Sequence, residues 1–141
     1  MICVSGAGYV GLVTGTCFSD AGADVVFLDV DEKRVAGLNR GVLPIYEPGL
    51  SEVYEKNMAA GRLSATTDAE AALREARYAF ICVGTPPLPD GSSNLAYVED
   101  AARAVARHGP ESLILVTKST VPVGTADWVR ELLAEEGRQD V

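Results

Sequence analysis

Ile2-Cys3-Val4-Ser5-Gly6-Ala7-Gly8-Tyr9-Val10-Gly11 is the stretch that decides the fold. A short apolar run comes first, and a G-x-G-x-x-G pattern follows at once and opens a helix-like segment. Each glycine answers its own steric demand. Gly6 permits a tight turn out of a strand, Gly8 lets a pyrophosphate come close to the backbone, and Gly11 lets the helix pack against the strand. The helix start then offers unpaired N–H groups and a positive dipole end to that anion. Gly15, one helical turn beyond Gly11, extends the close-packing face. The pattern alone is weak; the strand before it and the helix after it are what give it meaning.

Working outward, the same alternation repeats. Nearly continuous apolar runs occur at 25–28, 78–83 and 113–116, with a weaker one at 63–66. Unbroken apolar runs are the mark of strands covered on both faces, as in a parallel sheet. The spacing predicts helices over 10–21, 31–39, 49–60, 68–76, 94–108 and 125–136, with Asp31 and Asp68 as N-caps. Leu95, Val98, Ala102 and Val105 recur at helical intervals, as do Trp128, Val129, Leu132 and Leu133. The expectation is an α/β fold: one domain over 1–141 built on a doubly wound, Rossmann-like parallel sheet of order 3-2-1-4-5-6. Its sixth strand would begin near 139–141.

Composition narrows the partners. In 141 residues, 48% are hydrophobic and 23% charged, which describes a globular chain with its own core. Twelve basic against twenty acidic residues give a net charge of −8, poor footing on nucleic acid or an anionic membrane. The first basic residue is Lys33, so no secretory leader is expected and a reducing cytoplasm fits. Cys3, Cys17 and Cys82 show no metal-ligand spacing and read as buried, reduced thiols. No metal is expected.

Asp29 closes the second run, 18 residues beyond Gly11. A carboxylate there hydrogen-bonds ribose hydroxyls and repels a 2′-phosphate, so the cofactor is expected to be NAD rather than NADP. Arg34 pulls the other way, since a nearby Arg can accept that phosphate. Gly84 and Thr85 leave the fourth run, which flanks the switch point of such a sheet, and would line the cofactor groove. Lys118, Ser119 and Thr120 leave the fifth at the same rim, where hydroxyls could meet the nicotinamide or a substrate. Thr125 reads as an N-cap. His108 closes a helix at the opposite rim and reads as a partner of the helix dipole.

Four blocks give the chain a wider resemblance: Gly6-Ala7-Gly8-Tyr9-Val10-Gly11-Leu12, Pro44-Ile45-Tyr46-Glu47-Pro48-Gly49-Leu50, Val83-Gly84-Thr85-Pro86, and Lys118-Ser119-Thr120-Val121-Pro122-Val123-Gly124-Thr125. In this order they resemble the N-terminal NAD-binding domain of the UDP-glucose/GDP-mannose dehydrogenase family. Within it they are closest to the bacterial members that act on UDP-glucose. The resemblance implies a parent enzyme that oxidises a nucleotide sugar twice at C6 with two NAD, and a homo-oligomer at full length. It places Gly6, Gly8, Tyr9, Val10 and Gly11 at the pyrophosphate and Asp29 and Arg34 at the adenosine. Gly84 and Thr85 fall along the cofactor, and Ser119 and Thr120 by the nicotinamide. Thr120 would take a supporting catalytic role, helping to position water. The family's nucleophilic Cys lies in a later, Gly-rich segment, and no cysteine here matches its context. These residues are therefore expected to be a truncated module, inactive alone. The alternatives are a GDP-mannose or UDP-N-acetylmannosamine enzyme, or a non-catalytic NAD-binding module.

Overall fold

The computed structural model describes every residue except Asp140. The expected start of a sixth strand at 139–141 therefore falls partly outside the described residues. The described residues form five strands and six helices, alternating except where α3 follows α2: β1 (Ile2–Ser5), α1 (Tyr9–Asp20), β2 (Val25–Leu28), α2 (Glu32–Leu38), α3 (Leu50–Ala59), β3 (Leu63–Thr66), α4 (Ala69–Leu73), β4 (Tyr78–Ile81), α5 (Ala96–His108), β5 (Ile114–Thr117) and α6 (Thr125–Glu135). The strands form one parallel sheet of order β3-β2-β1-β4-β5. This is the doubly wound, Rossmann-like α/β architecture, with the chain reversing direction across the sheet at β1 and β4.

The apolar runs are continuous because neighbouring residues face opposite, equally buried layers. Val4, Val25 and Phe27 pack with Leu12, Leu38 and Tyr54 of α1, α2 and α3. Cys3, Val26 and Ala79 pack on the other side with Leu73 and Val105 of α4 and α5. A third cluster joins Ile81 to Val98 and Ala102 of α5 and Val129 and Leu133 of α6. Gly15 earns its place here: a Cβ on it would stand 2.5 Å from the Phe27 ring.

Asp31 and Asp68 cap α2 and α4 as expected, accepting from the N–H groups of Lys33 and Arg34 and of Ala71. Thr125 does not cap α6. Gly124, at φ +93°, holds the cap position, and Thr125 is the first helical residue, buried, with its hydroxyl donating to Pro122 O at 2.7 Å. The left-handed turn at 124 suits glycine, and that displaces the helix start by one residue. The β5 run is shifted too. Leu113 is buried before pairing begins, while Ile114 is half-exposed; among the described residues β5 pairs only with β4, at the sheet edge. β4 stops at Ile81, where the carbonyl accepts from both Lys118 and Ser119 and the two chains diverge. Cys3 and Cys82 are buried, but Cys17 is exposed on α1, so one of the three expected buried thiols faces solvent. Among the described residues no helix is long and apolar enough to cross a membrane.

Candidate cofactor-binding site

The parallel register aligns Ser5, Leu28, Ile81 and Thr117 at the C-terminal ends of four adjacent strands. All the segments singled out in the sequence leave from this rim. Two adjoining cavities lie along it. One, of about 510 Å³, reaches from Gly6 and Gly8 to Asp29, Val30 and Arg34 and across to α5. The other, of about 270 Å³, reaches from Gly8, Tyr9 and Val10 to Thr85 and 118–120. Gly8, Cys82, Val83 and Gly84 border both. The two therefore make one groove across the switch point, where open α/β sheets take their ligands.

The glycine turn is built as the motif requires. Gly6 adopts φ +98°, and a Cβ on it would meet the Cys82 carbonyl oxygen at 2.8 Å. A Cβ on Gly11 would stand 1.9 Å from the Gly6 carbonyl oxygen. Gly8 is different, because a Cβ there meets nothing within 4 Å. Its missing side chain leaves open the space above the start of α1. No side chain caps that helix and no acidic residue sits in its first turn. The helix dipole and the free N–H groups of the first turn are thus left for an anion.

Asp29 is buried, and its carboxylate is already engaged. Oδ2 accepts from the Ala7 N–H at 2.7 Å, and Oδ1 from the Asp31 N–H at 3.0 Å. Arg34 Nη1 bridges both oxygens, at 3.1 Å and 2.9 Å. Asp29 therefore shapes the glycine turn from behind as well as facing the groove. A carboxylate has about four lone-pair sites, so a ribose hydroxyl donating to Asp29 must displace Arg34. The same pair offsets the charge that would repel a 2′-phosphate. The sequence placed both residues at the site but gave no sign that they bind each other.

At the other end, the hydroxyls mostly stitch the two rim loops together. The Thr85 hydroxyl donates to Thr120 O at 2.7 Å, and that of Ser119 to Val83 O at 2.7 Å. Their remaining lone pairs can still accept. Thr120 and Lys118 are exposed along the groove. Tyr9, the first residue of α1, donates its phenol to Glu47 in the Pro-rich loop after α2. That hydrogen bond and the carboxylate charge raise the phenol above its ordinary value. Cys82 borders the groove, yet burial pushes its thiol up to about 11, against the opposing effect of Lys118. A thiol held neutral by burial in this way is no ready nucleophile. Among the described residues no cluster of His, Cys, Asp or Glu could hold a metal.

Two contributors were missed in the sequence. Glu47 is separated from Tyr9 by 38 positions, and no local pattern links them. Tyr97, Asp100, Ala101 and Ala104 of α5 form a wall of the larger cavity. The helix itself was legible from Leu95, Val98, Ala102 and Val105, but not that Tyr97, Asp100, Ala101 and Ala104 line a cavity.

An open phosphate cradle, a carboxylate beside the adjacent strand end and hydroxyls at the far end fit a dinucleotide laid across the sheet. The family model of the UDP-glucose/GDP-mannose dehydrogenase family, NAD binding domain, matches residues 1–141. The chain belongs to this family. As an NAD binding domain of that family, it resembles curated relatives over nearly its whole length. It is 47% identical over 135 residues to a UDP-glucose 6-dehydrogenase of Rhizobium meliloti, covering 95% of this chain and 31% of the relative. It is 46% identical over 134 residues to one from Bacillus subtilis, covering 95% and 30%. A UDP-glucose dehydrogenase structure from Pyrobaculum islandicum superimposes with a TM-score of 0.90 at 45% identity, covering 96% of this chain and 32% of that one. The chain thus spans about a third of the length of these dehydrogenases.

Proposed function

We propose that residues 1–141 are the cofactor-holding part of an NAD-dependent UDP-glucose 6-dehydrogenase. The observation that carries this reading is the single groove running from Asp29 and Arg34, over the open Gly8 cradle, to Thr85, Ser119 and Thr120. The names of the relatives at 45–47% identity support the sugar. Gly6 and Gly11 set the turn, Gly8 admits the pyrophosphate, and the backbone at Tyr9 and Val10 offers donors to it. Asp29 and Arg34 take the adenosine ribose, with the Arg34 guanidinium moving off the carboxylate as the hydroxyls arrive. Gly84 and Thr85 follow the cofactor toward the nicotinamide, and Ser119 and Thr120 border that end, Thr120 helping to place water.

Bound NAD supplies the hydride acceptor. The residues of this chain hold it and orient it at the strand ends. None supplies a nucleophile: Cys3 and Cys82 are buried with raised thiols, and Cys17 lies on α1 outside both cavities. The reading therefore makes the chain a binder of NAD that does not turn over by itself. It also makes it a cytoplasmic protein, a homo-oligomer in its full enzyme, and one without nucleic-acid or membrane partners.

Calorimetric titration with NAD and NADP tests this. NAD should bind more tightly, and Asp29→Ala should narrow the gap. Equal affinity of the unaltered chain for both cofactors would refute the role given to Asp29. Steady formation of reduced cofactor from UDP-glucose and NAD would refute inactivity alone.

A further inference from the structure

Part of the lining of the groove is contributed by α5. Tyr97, Asp100, Ala101 and Ala104 all border the larger cavity, while Val98, Ala102 and Val105 on the other side of the helix are buried in the core. Two residues of this cavity are left facing solvent. Val30 is 96% exposed, an apolar side chain directly beside Asp29 with almost nothing covering it. Asp100 has no hydrogen bond or ion pair with any of the described residues, although every other carboxylate of the cavity, namely Asp29, is fully engaged.

An exposed apolar side chain and an unpartnered acceptor lining one cavity suit a purine that carries an exocyclic amine. Apolar side chains cover the ring faces, and Ala101 and Ala104 are short enough to admit a ring alongside the helix. A carboxylate can only accept hydrogen bonds, so it favours an amino group at the ring edge and repels a carbonyl oxygen. We propose that Asp100 is a specificity-determining residue of the cofactor site, accepting from the 6-amino group of an adenine packed over Val30. The inference rests on the reading of this groove as an NAD site and adds which part of NAD is read, and by what.

The test uses NAD and nicotinamide hypoxanthine dinucleotide, in which a carbonyl replaces the 6-amino group and ring N1 carries a proton. Both are titrated calorimetrically into the chain and into its Asp100→Ala and Asp100→Asn variants. A hydrogen bond to a charged acceptor predicts that the unaltered chain prefers NAD by about tenfold or more. Asp100→Ala should bring the two affinities within about threefold of each other. Asp100→Asn can turn its oxygen to the amine or its NH₂ to the carbonyl, so it should bind the hypoxanthine form more tightly than the unaltered chain does. A merely structural role for Asp100 would weaken both ligands in parallel. Equal binding of the two dinucleotides by the unaltered chain overturns the proposal. So does a preference for NAD that persists in Asp100→Ala. Absence of NAD binding in the unaltered chain overturns the NAD reading itself, and this inference with it.

Discussion

Replacing Gly8 with Ala separates cofactor binding from folding more cleanly than any other single change in the groove. The backbone at Gly8 sits at φ −82° and ψ −167°, a region any L-residue adopts. A methyl there meets no protein atom within 4 Å. Nothing in the folded chain opposes it, and the unfolded chain loses freedom, so stability should hold level or rise by up to about 1 kcal/mol. Binding should behave in the opposite way. A phosphate oxygen must come within about 2.9 Å of a backbone nitrogen to be held by it, and the new methyl fills the space through which it approaches. Loss of one such charge-assisted hydrogen bond costs about 1.5–3 kcal/mol, or roughly a ten- to hundredfold rise in Kd. Thermal melts paired with calorimetric NAD titrations measure both halves. A Gly8→Ala chain that binds NAD with unchanged affinity would show that the pyrophosphate does not lie over α1.

Gly11→Ala should do the reverse, lowering stability by about 1–3 kcal/mol, read as a lower urea midpoint, because its methyl would press on the Gly6 carbonyl 1.9 Å away; an unchanged midpoint would refute the close packing of α1 on the glycine turn. Thiol titration with a disulfide reagent should find one reactive cysteine in the native chain, Cys17, and three after unfolding, since burial pushes Cys3 up to about 12 and Cys82 to about 11; rapid native modification of Cys82 would contradict its burial. Asp20, held low by Lys56 and Asn57, and Glu136, held low by Arg107 and Arg103, both titrate below their ordinary range. Their folded values lie under the unfolded ones, so their contribution is present at neutral pH and should be lost as pH falls from about 5 to 2. Denaturant melts across that range measure it, and added salt should flatten the Asp20 part more, because Asp20 is exposed and Glu136 is partly covered; stability independent of pH there would count against both pairs.

Much of the fold was legible because its signals are local. Cys3 beside Val4 and Val26 beside Phe27 report two buried faces whatever lies on them, and Asp31 and Asp68 cap helices through N–H groups two or three residues away. Errors arose where the decisive neighbour was not local. Ile114 looks like an interior strand residue, but only the strand order makes β5 an edge. Cys17 sits on a helix of small and apolar residues with little amphipathic contrast, so nothing in its spacing marked it as the exposed thiol. The candidate site divides along the same line. Gly6, Gly8 and Gly11 declared themselves through a spacing contained in six residues, whereas the Arg34–Asp29 pair depends on where one long side chain settles.

The order of residues by itself determined a parallel, doubly wound sheet and a glycine turn able to seat a phosphate, because apolar continuity and missing side chains act over a few positions. Tertiary structure alone decided how the groove is furnished. It turned Asp29 inward to hold Ala7 and take Arg34, tied Tyr9 to Glu47, and brought Asp100 of α5 and Val30 to one cavity. Those relations join segments that only the pairing of β1 with β2 and β4 brings to one rim, and hydrogen bonds are directional enough that their partners are settled only once that rim exists.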